Sequence, residues 1–271
     1  MPELPEVEII CRGIAGHVVN QQIVKVVIRN NKLRWPIWTN LAKNLSQQTI
    51  KVINRRAKYI LVTCTHGTLI IHLGMTGKLR VVASNTLATK HDHIDFLLSN
   101  GNVLRYTDPR RFGSIHWTTK MPREHKLLLH LGVEPLTIKF SGAYLFDRTR
   151  EKNVNIKSLL MDQAIVVGIG NIYANEALFH AGIRPTRPAK TISLSEYTVL
   201  VKQVKFILKK AINKGGTTIK DFVNAEGKPG YFVQELMVYG RIGRFCYQCN
   251  TALQNIRLNQ RSTVFCPVCQ R

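Results

Sequence analysis

Acidic side chains are scarce in this chain. Its 271 residues include 16 Asp and Glu against 39 Lys and Arg, a formal net charge of +23. So strong a cationic excess excludes a basic partner. It points to a polyanion, with nucleic acid the first reading and an anionic membrane surface the second. Long apolar runs are missing too. No stretch approaches the roughly 18 residues of a membrane-spanning helix, and no basic-then-apolar leader opens the chain. A cytoplasmic protein with no membrane partner is therefore expected. Cysteine is sparse outside the tail, where only Cys11 and Cys64 are found. Without a secretory leader this excludes a chain-wide disulfide framework. Internal repeats and low-complexity tracts are absent as well, which excludes solenoids.

What is present is ordinary globular material, 45% apolar and 20% charged, in a chain long enough for two cored domains. The first half reads as strands rich in Val, Ile and Leu: IVKVVIRN (23–30), YILVTCT (59–65), TLIIHLGM (68–75), KLRVV (78–82), HIDFLLS (93–99) and NVLRYTD (102–108). Asn100-Gly101 is a two-residue hairpin signal, and His66-Gly67 punctuates another pair. Short turns favour antiparallel sheets packed as a sandwich over βαβ units. A helix starts near Pro5 and Glu6, with Val7, Ile10, Cys11 and Ile14 on one face. A second is expected near Leu41–Leu45. After about residue 133 the period changes. EPLTIKFSG reads as a linker, and 193–216 as a long helix with a Ser193/Glu196 capping box and Gly215-Gly216 at its end.

Six stretches bear on chemistry. CYQC and CPVC pair Cys246 with Cys249 and Cys266 with Cys269, a spacing that suits one tetrahedral four-thiolate zinc site. Two redox pairs or two disulfides are the alternative. The segment is too short to bury much apolar area, so a metal would supply its folding energy. Between the pairs, Arg257 and Arg261 lie on an expected hairpin. GIGNIYANEALFHAG (168–182) is a glycine turn into a helix whose free N–H groups, with Asn171, suit a phosphate; a purely packing turn remains open. With 156–163 before it, the unit resembles a helix–turn–helix pair. TDPRRFG (107–113) places arginines beside an apolar wedge, as entry into a base stack requires. KHDH (90–93) is read as a phosphate contact or a structural pair rather than a metal site. RRAKYI (55–60) supplies Lys58, one cation among many. The opening MPELPEVE explains Pro5 and Glu6 as a helix start, but not Pro2.

Taken together and in order, MPELPEVE, RRAKYI, HLGMTG, DPRRFG, LLMDQAIVVGIGNIYANEALF, GGTTIKDF, GKPGYF and CPVCQ resemble the bacterial formamidopyrimidine-DNA glycosylase family from residue 2 to 270. The resemblance implies an α+β fold: an antiparallel β-sandwich with flanking helices (1–133), a helical domain with a helix-two-turn-helix (134–235) and a C-terminal zinc finger hairpin with four cysteine ligands (236–271). It implies excision of oxidised purines from double-stranded DNA, then nicking of the abasic site by β,δ-elimination. Pro2, freed by loss of Met1, is the implied nucleophile and Glu3 the acid at the sugar ring oxygen. Glu6 is implied to bind and orient the site, Lys58 to transfer a proton, and Arg261 to clasp phosphates and assist elimination. Met75, Arg110 and Phe112 correspond to the wedge that replaces an extruded base. His91, Arg110, Lys152, Asn171 and Arg261 correspond to backbone contacts, and 215–232 to a mobile loop over the extruded base. Leu4 fits this family better than its sister, endonuclease VIII, whose oxidised-pyrimidine specificity is the alternative; a non-catalytic zinc-ribbon DNA binder is another. A monomer is expected. The chain departs from the family pattern at Ile9, where threonine is usual, and at Asn20 and Gln260, where glycine is common.

Overall fold

The structure, a computed structural model, describes residues 1–217 and 232–271. The described chain forms two compact units. One holds Met1–Leu129 with Gly215, Gly216 and Thr217, the other His130–Lys214 with Phe232–Arg271. No helix among the described residues is long and apolar enough to cross a membrane.

In chain order the first unit contains α1 (Leu4–Val18), β1 (Ile23–Ile28), α2 (Leu41–Leu45), β2 (Ile50–Arg56), β3 (Tyr59–Cys64), β4 (Gly67–His72), β5 (Lys78–Ala83), β6 (Asp92–Leu98), β7 (Asn102–Thr107) and β8 (Ser114–Thr118). The strands form two four-stranded antiparallel sheets, ordered β1-β6-β7-β5 and β2-β3-β4-β8. Alternation along the strands feeds one core: Ile60, Val62 and Cys64 from one sheet, Ile94, Phe96 and Leu98 from the other, and Val7, Ile10, Cys11 and Ile14 from α1. All six expected strands are present. The two that sequence reading missed, β2 and β8, are the edges of their sheet. Edges are often blunted by charge, and β2 carries Lys51, Asn54, Arg55 and Arg56, which hides any apolar run.

Both expected hairpins form. Cys64 pairs with Gly67 across a two-residue turn. Gly67 has no room for a side chain, since a Cβ there would stand 2.5 Å from the Trp117 ring. The β6–β7 loop is longer than the Asn-Gly signal implies. Leu97 pairs with Val103, only Gly101 has positive φ (79°), and its N–H donates to Leu98 O at 3.1 Å. That is a three-residue loop closed by a left-handed glycine.

In the second unit lie α3 (Gly142–Thr149), α4 (Ile156–Leu160), α5 (Asn171–His180), α6 (Leu194–Asn213), β9 (Gln254–Leu258) and β10 (Arg261–Phe265). The α6 capping box is formed. The expected stripe from Tyr197 to Ala211 is buried, with Ile207 and Ile212 added to it. Residues 134–142 are not a free linker. Phe140 is fully buried in the helical core, and Ser141 caps α3 by accepting the Tyr144 N–H at 3.1 Å. The β9–β10 hairpin turns on Asn259 and Gln260, at φ 45° and 61°. Asn20 also sits at φ 65°. Both positions where this chain departs from a family glycine are thus left-handed, which explains the glycine, and the side chains here carry some strain.

One buried ion cluster fixes the first sheet. Asp95 accepts from Arg105 Nε at 2.8 Å and Nη2 at 2.9 Å, and from Arg29 Nη2 at 2.6 Å. Asp95 and Arg105 are each 3% exposed. Asp95→Ala removes the carboxylate that two guanidinium groups share and leaves the buried one, Arg105, with Asp92 at 3.7 Å and the Thr86 and Leu87 carbonyls. It is expected to cost about 3–5 kcal/mol in chemical denaturation; a loss below about 1 kcal/mol would contradict this role.

Candidate active site and nucleic-acid interface

The start of the chain is pinned by one carboxylate. Glu6 Oε2 accepts the Glu3 N–H at 2.9 Å, and Glu6 Oε1 accepts the Thr217 N–H at 2.9 Å. Glu3, the N-cap of α1, is 3% exposed and Glu6 2%. Glu6 therefore lies below the surface and holds the backbone next to Pro2. A second acidic residue, Glu8, reaches Arg12 at 2.8 Å and Arg55 at 2.9 Å, tying α1 to β2. Pro2 is buried, while Met1 is 49% exposed. Met1 lines a cleft of about 800 Å³ together with Arg34, His72, Met75, Arg110 and Phe112. The sequence-predicted wedge and the chain start thus open on one cleft.

Lys58 sits in the tight turn between β2 and β3, after Ala57 at φ 55°. It is only 7% exposed, unusual for lysine. His72, on the cleft wall, is held neutral. Burial pushes its pKa down to about 4, helped by the charges of Lys58 and Arg34. Its Nδ1 accepts the Gly74 N–H at 3.0 Å, so the proton resides on Nε2.

Met75 and Phe112 are 42% and 45% exposed, at the tips of the β4–β5 and β7–β8 loops. The Arg110 guanidinium lies over the Phe112 ring, 4.7 Å from its centroid. The backbones of these loops touch: a Cβ on Gly74 would come within 2.4 Å of the Phe112 carbonyl carbon. Beneath them is Asp108, fully buried. Sequence reading quoted this residue inside TDPRRFG without singling it out; an Asp opening a proline turn was the available signal. His91, half-buried ahead of β6, accepts the Asp108 N–H through its carbonyl at 3.0 Å. His93 does not share its role: it is 3% exposed and its Nε2 pairs with Asp108 O at 2.8 Å.

In the second unit, Asn171 begins α5 behind the N-cap Gly170. Its Nδ2 donates to Ser262 O at 3.0 Å, next to Arg261. Arg261 is exposed, with Nη1 3.8 Å from Met161 Sδ. Lys152 is exposed in the loop after α3. Sequence reading missed the polar latch under this hairpin. Lys157 Nζ, 1% exposed, donates to Ser262 O at 3.0 Å and Thr263 Oγ1 at 2.6 Å. Asn175 accepts the Val264 N–H at 3.1 Å. Glu176 accepts N–H groups from Met237, Val238 and Tyr239 at 2.8–3.0 Å, although burial still raises its pKa.

Cys246, Cys249, Cys266 and Cys269 are free thiols whose sulfurs all lie within 4.8 Å of one another, a group able to hold a metal ion. The short approaches, 3.9 Å for Cys246–Cys269 and 3.4 Å for Cys249–Cys266, run between the two motifs. Redox pairs would close within each motif, so this arrangement suits a shared cation better. The expected loop over 215–232 falls, apart from its ends, outside the described residues.

The His72 geometry has a solution signature. In the unbound protein its imidazole is expected to stay neutral, with the proton on Nε2, down to about pH 5, as followed by nitrogen–proton NMR. Between about pH 4 and its ordinary 6.5, the unfolded chain binds a proton that the folded chain does not, so this residue makes stability rise with pH across that window. Titration at 6.5 or above would contradict the buried, cation-flanked placement.

Residues 1–115 match the model of the formamidopyrimidine-DNA glycosylase N-terminal domain, and residues 131–223 that of the formamidopyrimidine-DNA glycosylase H2TH domain. The formamidopyrimidine-DNA glycosylases of Pseudomonas aeruginosa (strain UCBPP-PA14) and Marinobacter nauticus are 53% and 52% identical, over the full length of both chains. Among solved structures, wild-type Lactococcus lactis Fpg with DNA containing N7-benzyl-Fapy-dG is 34% identical, with TM-score 0.92 over the whole of both chains. The Lactococcus lactis Fpg complex with DNA containing an abasic site is 33% identical, with TM-score 0.90 over 99% of each chain. By sequence and by fold, the chain belongs to the formamidopyrimidine-DNA glycosylase family.

Proposed function

We propose that this protein excises oxidised purines, formamidopyrimidines and 8-oxoguanine, from double-stranded DNA and then nicks the abasic site. The observation that carries the reading is the cleft in which the chain start meets Met75, Arg110 and Phe112. A damaged base is shielded within the stack, so its sugar must be swung out before chemistry. Phe112 intercalates, Met75 fills the vacated space and Arg110 faces the orphaned cytosine. Arginine donates to cytosine O2 and N3 but meets a donor at adenine's amino group, which favours cytosine by about 1–3 kcal/mol.

Loss of Met1 makes Pro2 a secondary amine. Its nitrogen attacks C1′ as the damaged base departs with the bonding pair and takes up a proton; the nitrogen then loses its own proton, and Glu3 protonates the ring oxygen as the C1′–O4′ bond breaks and the sugar opens. The resulting iminium has no N–H to lose, so its positive charge is fixed and it acts as an electron sink. Loss of a C2′ proton then expels the 3′ phosphate, and a second elimination expels the 5′ phosphate. Lys58 serves as the proton-transfer group, with Glu6 holding the backbone beside the nucleophile. Arg261, His91, Lys152 and Asn171 grip backbone phosphates, as the charge of +23 favours. Zinc is the proposed occupant of the four-cysteine site. Four thiolates leave no open position, so its work is to hold the hairpin bearing Arg261. The protein acts as a cytoplasmic monomer on DNA, in three parts: 1–133 catalytic, 134–235 DNA-gripping and 236–271 the finger. Oxidised pyrimidines are the runner-up substrates.

Borohydride added during turnover is expected to trap one covalent DNA adduct, mapped by mass spectrometry to Pro2 in protein whose intact mass lacks Met1. Pro2→Gly cutting and trapping at the wild-type rate would defeat the assignment. Elemental analysis of protein purified without chelator is expected to find one zinc per chain, and chelation to abolish DNA binding. Absence of zinc would remove it from the reading.

A further inference from the structure

We propose that Asp108 is the positioning residue that sets the wedge, through the Thr76 hydroxyl, so that Met75 and the Arg110–Phe112 turn enter the duplex as one body. The proposal rests on the wedge reading above. Each loop alone is a short exposed turn, and its tip would wander if nothing below fixed it. Both loops converge on one carboxylate. Oδ1 accepts from Thr76 Oγ1 at 2.6 Å, in the Met75 loop. Oδ2 accepts from the Gly113 N–H at 2.8 Å, at the far end of the Arg110–Phe112 turn, and from Tyr106 OH at 3.2 Å. Thr76 Oγ1 in turn accepts the Arg110 N–H at 3.3 Å. One hydroxyl therefore joins the residue beside Met75 to the backbone of the residue that faces the orphaned base.

The main chain of Asp108 closes the frame. Its carbonyl accepts the Arg111 N–H at 3.2 Å, where Arg111 is at φ 58°. The same carbonyl pairs with His93 Nε2 at 2.8 Å, and its N–H donates to His91 O at 3.0 Å. Space is tight around it. A Cβ on Gly113 would stand 1.8 Å from the Tyr106 oxygen. Three donors point at the carboxylate from three segments, and only an acceptor-only group satisfies them all. An asparagine of the same shape presents an amino group to one of these donors. Asp108 is buried and lies beneath the loop tips, so it acts through Arg110, Phe112 and Met75 rather than on DNA.

The test compares Thr76→Val, Thr76→Ser and Asp108→Asn with Arg110→Ala and Phe112→Ala. Each is measured for melting temperature, for base extrusion by fluorescence of a 2-aminopurine beside the lesion, and for single-turnover excision opposite cytosine and adenine. Thr76→Val is expected to melt near the wild-type temperature, to extrude roughly tenfold to a hundredfold more slowly, and to lose part of the cytosine preference. Thr76→Ser should restore both, and Asp108→Asn should reproduce the Val defect. Wild-type extrusion and preference in Thr76→Val, while Arg110→Ala and Phe112→Ala are impaired, would overturn the positioning role alone. So would a Ser variant as impaired as the Val variant, since the hydroxyl would then not be the agent. If Arg110→Ala and Phe112→Ala are themselves unimpaired, the wedge reading fails and this proposal falls with it.

Discussion

Buried carboxylates that accept backbone N–H groups decide where the loops of this protein lie. Acidic residues are few, yet Glu6, Asp108 and Glu176 are each at most 2% exposed and each grips main-chain amides, Glu6 and Glu176 from distant segments and Asp108 from the far end of its own turn. Glu6 binds the amide of Thr217, 211 residues away, and Glu176 binds three in a row from the approach to the finger. A hydrogen bond to a charged group contributes about 1.5–3 kcal/mol. The surrounding cationic excess eases the burial of negative charge. Loops that meet a polyanion can therefore remain basic at their tips while buried carboxylates anchor them from below.

The elements with strong periodicity were legible from residues alone. The apolar face of α1, the capped stripe of α6 and the central strands of both sheets follow directly from spacing. The edges β1 and β5 were legible too, but β2 and β8 were not, because β2 carries four charged or polar side chains in seven residues and β8 is short and polar at both ends. The connection around Phe140 was mistaken for a linker because one buried aromatic inside a polar stretch has no period to announce it. The four cysteines were legible as a group from sequence distance. Their cross-motif approaches were not, since these depend on the hairpin that folds CYQC against CPVC.

For the site, sequence named the exposed wedge and the buried residues at the chain start, and missed those that hold the wedge and the finger in place. Arg110 and Phe112 stand out as a cation beside an apolar side chain on a turn, whereas Met75 read as the end of a strand and was named through the family resemblance. Thr76 and Tyr106 stand out only once tertiary structure brings a β4–β5 loop onto a β7–β8 loop, and Asp108, though it opens a proline turn, shows what it holds only there. The same division holds at the finger. Arg261 is visible in the sequence, whereas Lys157 and Asn175 read as an ordinary lysine and asparagine on helices. Buried lysines are rare, and nothing in the local pattern marks Lys157 as one. Asn20 and Gln260 show the reverse case. Comparison with the family pattern flagged them, and their left-handed backbones give the physical reason.

The exposure of Met75 carries a consequence of its own. A thioether that projects from a loop tip is open to oxidants, and its sulfoxide is polar and chiral where the parent side chain is apolar and pliant. With Met75 42% exposed, the reactive oxygen species that damage guanine reach the side chain proposed to fill the gap that guanine leaves. Under the proposed role of Met75, oxidative stress would both generate the substrate and make this side chain polar, a change visible as one added oxygen in the intact mass. Sulfoxide reductases reverse it, which would couple the repair of DNA to the repair of the protein that performs it.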